Sequence, residues 1–159
     1  TRPKRSTERD GVDYFFVTAD AFRKMIDDNE LLEWAEVYGN LYGVPRAQVA
    51  DALNRGCDVF IKTDVQGADT LRRLVRGAVF IFLAPPTMLD LSRRLSRRMT
   101  ESSETLKLRL EIAESEMQQA SLFDYVVVNR HGCLNETVRD IEMIVERERG
   151  NRSSLRGSH

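Results

Sequence analysis

Ala78-Val-Phe-Ile-Phe-Leu-Ala-Pro-Pro86 is an apolar run that ends at two prolines. Residues 57–63 and 124–129 have the same β-branched and aromatic character. Segments that are apolar on both faces are typical of parallel strands covered by helices on each side. Proline cannot donate to a sheet ladder, so Pro85 and Pro86 predict the end of one strand. The three runs therefore predict a buried parallel sheet.

Helical patterns lie between and around these runs. Apolar residues recur at helical spacing in residues 19–29, 46–55, 68–75, 88–98, 103–119 and 136–149. Alternating strands and helices predict an α/β fold, a parallel sheet core flanked by helices. Residues 1–45 are more aromatic and turn-rich, which predicts a small β-rich lobe. We assign residues 46–90 and 112–149 to the core, and residues 150–159 to a linker and purification tag.

Composition excludes several classes of protein. The 159 residues suit one ordinary domain, and 24 basic against 25 acidic residues give a net charge of -1. That balance does not predict nucleic-acid binding. The longest apolar run is too short to cross a bilayer, so we expect no membrane association and a cytoplasmic enzyme. Cys57 and Cys133 lack metal-ligand spacing, so no protein-bound metal is expected. The sequence does not predict an oligomeric state.

The first candidate site is the basic segment Thr1-Arg-Pro-Lys-Arg5. Pro3 favours an extended chain, and the guanidinium groups of Arg2 and Arg5 can then both contact one phosphate. Tyr14 could add a phenolic donor. A basic segment of this kind is more often simply solvated, so both interpretations stay open at this point.

A second arginine group comprises Arg94, Arg97, Arg98 and Arg109. Arg94 and Arg98 lie one helical turn apart, a repulsive spacing unless an anion or solvent compensates. The group indicates either a solvated helix face or a lid, residues 91–111, that clamps transferring phosphates.

Two carboxylates are candidates for base recognition. Glu33 lies close to the aromatic residues Trp34 and Tyr42 in a glycine-containing segment, a setting that suits a planar ligand with N–H donors such as guanine. The alternative is a β-hairpin with a surface glutamate. Asp64 follows the predicted strand 57–63, at the end where α/β sheets bind ligands. The alternative for Asp64 is a helix cap.

Taken together, the motifs resemble the guanylate kinase family from residue 1 to about residue 149. The matching stretches are TRPKR, DGVDYFFV, EWAEVYGNLYG, TDVQGA, IFLAPP, RRLSRRMTESSE with Arg109 downstream, and DYVVVN. The resemblance implies a P-loop nucleoside monophosphate kinase fold with a GMP-binding lobe and a helical lid. It also implies an ATP-dependent phosphotransferase of purine nucleotide metabolism, converting ATP and GMP to ADP and GDP with Mg²⁺ on the ATP phosphates.

The resemblance further implies a role for each candidate residue. The GMP phosphate would be bound by Arg2, Arg5, Tyr14 and Tyr42, and the guanine donors by Glu33 and Asp64. The catalytic residues would be Arg94, Arg98 and Arg109. ATP would be bound by Arg94, Arg98 and Asn129.

The sequence departs from the family pattern in several places. The family opens with a strand and a P-loop, G-x-x-x-x-G-K-[ST], and no glycine here is followed by lysine. We therefore expect that segment to be encoded but cleaved, disordered or outside the printed sequence. Val44 replaces a Ser or Thr that helps to read guanine, which should weaken GMP binding without abolishing it. Lys62 replaces an Asp, which could reduce the need for metal or add a phosphate contact.

A second function fits the resemblance. Guanylate-kinase-like domains of scaffold proteins have lost catalysis and bind phosphopeptides, or GMP, as interaction modules. The absent P-loop and Val44 favour that alternative. The retained Glu33, Asp64, Arg94, Arg98 and Arg109 favour the enzyme, because a peptide-binding domain needs neither base selection nor ATP contacts.

Overall fold

The computed structural model describes residues 1–37, 39–97 and 103–156. The chain is organised as two compact units, Thr1–Arg76 and Gly77–His159. The boundary predicted between lobe and core, after residue 45, lies inside the first unit.

The first unit contains a β-hairpin and three helices. Its elements are α1 (Ala19–Asp27), β1 (Leu31–Val37), β2 (Asn40–Pro45), α2 (Arg46–Asn54) and α3 (Val65–Leu74). The Thr18 hydroxyl caps α1 by accepting a hydrogen bond from the Ala21 N–H at 3.2 Å. Gly39, in the turn between the strands, has a φ of 74°, a left-handed conformation that glycine adopts without steric penalty. The hairpin predicted as the alternative context of Glu33 is therefore present.

The two faces of the hairpin differ in what they contact. Cross-strand pairing joins Glu33 to Val44 and Ala35 to Tyr42, so these four side chains share one face. Phe22 of α1 is buried and packs against Gly43. The contact is so close that a Cβ on Gly43 would lie 2.9 Å from the Phe22 ring. Helix α1 therefore covers the face of the hairpin that carries Gly43, and the start of α3 covers the face that carries Glu33.

The second unit contains a parallel pair of strands and three helices. Its elements are β3 (Ile81–Ala84), α4 (Met88–Arg97), α5 (Ser103–Gln118), a 3₁₀ turn (Ala120–Leu122), β4 (Tyr125–Val128) and α6 (Leu134–Arg156). The pairing aligns Ile81 with Tyr125 and Ala84 with Val128. Ala84 and Val127 are buried. Two of the three predicted strands are thus confirmed, together with their parallel orientation.

Two expectations differ from the structure. Residues 57–63 form no strand, and Phe60 is 71% exposed. A β-strand requires hydrogen bonds to a neighbouring strand, and no described segment pairs with residues 57–63. Their high β-propensity alone therefore does not produce a strand. The last helix, predicted to end at residue 149, extends to Arg156. No helix in the described part of the chain is long and apolar enough to cross a membrane.

Candidate functional site

Arg2 lies at the centre of a basic-aromatic cluster formed by Arg2, Arg5, Tyr14 and Tyr42. Its guanidinium carbon lies 5.2 Å from the centre of the Tyr14 ring and 5.5 Å from that of Phe16. The Tyr14 ring meets the Tyr42 ring edge-on, with 6.4 Å between centroids. The structure thus brings together Arg2, Tyr14 and Tyr42, three of the four residues that the sequence predicted for one phosphate.

The basic segment is fastened to the hairpin at Leu41. The backbone nitrogen of Thr1 donates to the Leu41 carbonyl at 2.9 Å, and the Leu41 N–H donates to Thr1 Oγ1 at 2.8 Å. Because Tyr42 is the next residue on β2, these bonds bring the Arg2 guanidinium close to the Tyr42 side chain, which helps to raise the pKa of Arg2.

Glu8 is a member of this cluster that the sequence prediction missed. Its two carboxylate oxygens accept from both terminal nitrogens of Arg2, at 2.6 and 2.8 Å, and Oε2 also accepts from the Arg5 N–H at 2.9 Å. The Arg2 hydrogen bonds, followed by the Arg5 N–H, lower the pKa of Glu8 to about 2. The same partner raises the pKa of Arg2. Glu8 is the one acidic residue in the basic segment 1–9, and this sequence feature could have predicted its pairing with an arginine.

Arg5 is oriented differently from Arg2. Its side chain is 73% exposed and comes only to 3.9 Å from Glu8 Oε1. A guanidinium that projects into solvent from a fixed backbone is available to an incoming anion.

Glu33 and Asp64 form a carboxylate pair in the same unit. Glu33 lies on β1 and is only 5% exposed, so the alternative of a surface glutamate is wrong. Burial raises the pKa of Glu33, the negative charge of Asp64 raises it further, and a hydrogen bond from Thr63 opposes both. The structure therefore places together the two carboxylates that the sequence predicted for one base. Thr63 was not predicted.

Asp64 is also the N-cap of α3. Its Oδ1 accepts from the Gly67 N–H at 2.8 Å, so the helix-cap alternative is confirmed. A cap bond fixes the side chain without excluding a ligand, and the role of Asp64 in base recognition stays a prediction.

Gly67 explains how α3 can approach Glu33 so closely. A Cβ on Gly67 would lie 2.8 Å from Glu33 Cδ and closer still to Thr63 Oγ1. Only a residue without a side chain fits between the helix and the carboxylate.

The hairpin connects the carboxylate pair to the basic-aromatic cluster. Glu33 and Tyr42 lie on the same face as diagonal cross-strand neighbours. Trp34 lies on the opposite face and is 47% exposed, so the expectation that it surrounds Glu33 is wrong. A concavity of about 370 Å³ is lined by Tyr14, Val44 and Lys62 among others, but not by Glu33 or Asp64.

The second unit holds the other predicted residues. Arg94, on α4, donates from a terminal guanidinium nitrogen to the Asn129 carbonyl at 2.6 Å. The Asn129 N–H in turn donates to the Ala84 carbonyl at 2.8 Å, so this contact lies where β3 and β4 end. Arg109 lies on α5 with a partly buried side chain. Arg98 lies outside the described residues.

The described residues do not gather a metal site. Within the ranges given above, no three His, Cys, Asp or Glu side chains converge on one point that could hold a metal ion. Glu33 and Asp64 are two carboxylates, and one of them already caps a helix.

Comparison with known proteins gives a consistent result. A family model described as guanylate kinase matches residues 1–148. A guanylate kinase from Thermus thermophilus is 49% identical over 149 residues, which cover 94% of this chain and 67% of the relative. A guanylate kinase from Thermotoga maritima is 44% identical over 149 residues, covering 94% and 71%. Guanylate kinase 2, chloroplastic/mitochondrial, from Oryza sativa is 43% identical over 150 residues, covering 94% and 53%.

A solved structure agrees with these relatives. The crystal structure of guanylate kinase from Anaplasma phagocytophilum superimposes with a TM-score of 0.79 at 35% identity, covering 93% of this chain and 71% of that one. The chain thus spans about two thirds of the length of its bacterial relatives, and about half of the length of the rice protein.

Proposed function

The chain belongs to the guanylate kinase family of ATP:GMP phosphotransferases, and we propose that residues 1–76 bind GMP while Arg94, Arg98 and Arg109 act on the phosphates of ATP. The reaction is transfer of the terminal phosphoryl group of ATP to GMP, giving ADP and GDP. Its chemistry requires positioned charge and no covalent intermediate on the protein.

The observation that carries the proposal is the buried carboxylate pair. Glu33 is 5% exposed and faces Asp64. Burying a carboxylate beside another is unfavourable unless donors compensate. Guanine offers N–H donors on one edge, at N1 and at the exocyclic amine, whereas adenine presents an unprotonated ring nitrogen at N1. A carboxylate in this position accepts from guanine and repels the adenine nitrogen, which selects GMP over AMP.

The basic-aromatic cluster suits the phosphate of the same nucleotide. The Arg5 side chain is exposed, Arg2 is held against the Tyr14 ring, and Tyr14 and Tyr42 carry hydroxyl donors. Glu8 keeps the Arg2 fork oriented and offsets part of its charge. We assign Arg5 the strongest contact with the phosphate, since its guanidinium is exposed whereas that of Arg2 is paired with Glu8.

The residues of the second unit are assigned to ATP. Arg94 is held by the Asn129 carbonyl, so its guanidinium is fixed in direction before any ligand binds. A fixed cation stabilises charge in the transition state without reorganising. We propose this role for Arg94, shared with Arg98 and Arg109, and assign Asn129 to the adenosine side.

Magnesium accompanies ATP in the proposed reaction. We propose that Mg²⁺ would enter with ATP and neutralise part of the charge on its phosphates. None of the roles given above to this chain's residues depends on that ion.

We propose a cytoplasmic location for this chain, and one relative, from rice, is named as chloroplastic/mitochondrial. The matching family model and the relatives, which are named as guanylate kinases, favour the enzyme over the phosphopeptide-binding alternative.

Glu33→Gln tests the proposed function. The amide keeps the size of the side chain but replaces one acceptor oxygen by a donor. We expect the KM for GMP to rise about 10- to 100-fold, as for loss of a charged hydrogen bond, and the preference for GMP over AMP to fall. Glu36→Gln is the matched control, because Glu36 is exposed on the same strand and faces away from Glu33. Unchanged selectivity in the Glu33 variant would refute the assignment.

A further inference from the structure

Thr63 directly precedes Asp64 and contacts the buried carboxylate of Glu33. Thr63 Oγ1 and Glu33 Oε1 are the two atoms nearest to the point where a Cβ on Gly67 would lie, which places the hydroxyl beside the carboxylate as its hydrogen-bond donor. Both side chains also pack against Gly67, where a Cβ would overlap them. Gly67 is in turn fixed by the hydrogen bond from its N–H to Asp64 Oδ1. The start of α3 therefore holds the hydroxyl and the carboxylate side by side.

Two other neighbours of Glu33, Val44 and Asp64, donate no side-chain hydrogen bond to it. Its cross-strand partner on β2 is Val44, which has no polar side-chain atom. The charged group that faces Glu33 from the start of α3 is Asp64, which is itself an acceptor and repels a second negative charge. Val44 lacks the hydroxyl that the family pattern has at this position, whereas Thr63 presents a hydroxyl to the Glu33 carboxylate.

The protonation state of Glu33 determines what it can bind. An ionised carboxylate accepts hydrogen bonds at both oxygens, whereas a protonated one presents an O–H that opposes an N–H donor. Burial and Asp64 both favour the protonated form of Glu33, and a hydrogen bond donated to the carboxylate favours the ionised form.

We propose that Thr63 is a positioning residue for base recognition: its hydroxyl orients Glu33 and keeps the carboxylate oxygens available as acceptors for the N–H donors of guanine. The inference rests on the proposed GMP site and adds a specificity-determining residue to it. Thr63 is not assigned a contact with the nucleotide, because it acts through Glu33.

Thr63→Val and Thr63→Ser in the full-length protein test the proposal. Valine has the shape of threonine without the hydroxyl, and serine keeps the hydroxyl. The pKa of Glu33 is measured without nucleotide by carbon NMR of labelled glutamates, assigned with Glu33→Gln. We expect it to rise in the valine variant and to stay close to the wild-type value in the serine variant.

Steady-state kinetics gives the second readout. In the valine variant the KM for GMP should rise about 2- to 12-fold, the range for one hydrogen bond, and more at lower pH, with the KM for ATP unchanged. The serine variant should restore the wild-type KM for GMP. Thermal unfolding of both variants checks that they fold.

The outcomes separate this inference from the proposed function. A valine variant with the wild-type pKa of Glu33 would overturn the inference, even if GMP binding weakened. An equal rise in the KM for ATP and for GMP would also overturn it, since it would indicate a general structural defect. Wild-type protein that failed to bind GMP would refute the proposed function itself, and the NMR titration would still decide whether Thr63 stabilises ionised Glu33.

Discussion

Gly67→Ala places a methyl group where α3 contacts Glu33. Gly67 lies in the first turn of α3, is buried and has no left-handed φ, so the backbone itself accepts alanine. The added Cβ would lie 2.8 Å from Glu33 Cδ, which is shorter than the 3.0 Å minimum distance found for Cβ contacts in proteins. Glu33 is buried and hydrogen-bonded to Thr63, so its carboxylate must move and this hydrogen bond must weaken.

Two opposing terms set the size of the effect. Alanine is better than glycine inside a helix by about 0.5–1 kcal/mol. Overpacking a filled site costs about 1–3 kcal/mol. The clash should win, with a net loss near 1 kcal/mol and a Tm lower by about 2–4 °C for a protein of this size. Because Glu33 is displaced, the KM for GMP should rise by more than the stability loss alone explains.

Urea and thermal unfolding, with GMP kinetics, measure these effects. Gly150→Ala is the control, since Gly150 lies within α6 and a Cβ there would meet nothing within 4 Å. It should leave stability unchanged or raise it by up to about 1 kcal/mol. If Gly67→Ala is stabilised as the control is, and keeps the wild-type KM for GMP, then α3 does not pack on Glu33 as described.

Two further predictions concern the basic-aromatic cluster. Arg5→Ala should raise the KM for GMP about 10- to 100-fold, because an exposed guanidinium is lost from the proposed phosphate site; an unchanged KM would remove Arg5 from that site. Glu8→Gln should change the acid stability. The pKa of Glu8 is lowered from 4.5 to about 2, so the wild-type ion pair stabilises the fold above pH 4.5, and that contribution is lost as the pH falls toward 2. The glutamine variant lacks this component, so its urea midpoint should fall less between pH 5 and pH 2 than that of the wild type; identical pH dependence would contradict the pairing.

Sequence patterns were sufficient wherever local chemistry decides the structure. The apolar runs at 78–84 and 124–129 predicted strands that are present as β3 and β4, because their residues are β-branched or aromatic and are followed by breaks in the pattern. Asp64 was predicted as a possible cap from its place before a helical pattern, and the cap is present. The motifs that resemble guanylate kinases lie along most of the chain, and the family follows from them.

Patterns failed where a distant partner decides. Residues 57–63 have strand composition but no pairing segment among the described residues, so composition alone predicted a strand that is absent. The hairpin was foreseen as a surface element, yet Glu33 is buried because α3, more than thirty positions along the chain, closes over it at Gly67. Trp34 is the adjacent residue and was expected at the same site, but the alternation of a strand turns it to the opposite face.

The sequence by itself determined the family, the type and order of most helices and strands, and the residues that are candidates for binding GMP and ATP, since these depend on composition and short spacing. Only the tertiary structure decided the environment of each candidate. The structure identified Glu8 as the hydrogen-bond partner of Arg2 and Thr63 as the donor to Glu33, and the composition of the chain predicted neither contact. The charge state and orientation of a side chain depend on the burial, hydrogen bonds and charges around it, and these are set by the folded positions of its neighbours, six residues away for Arg2 and Glu8 and thirty for Glu33 and Thr63.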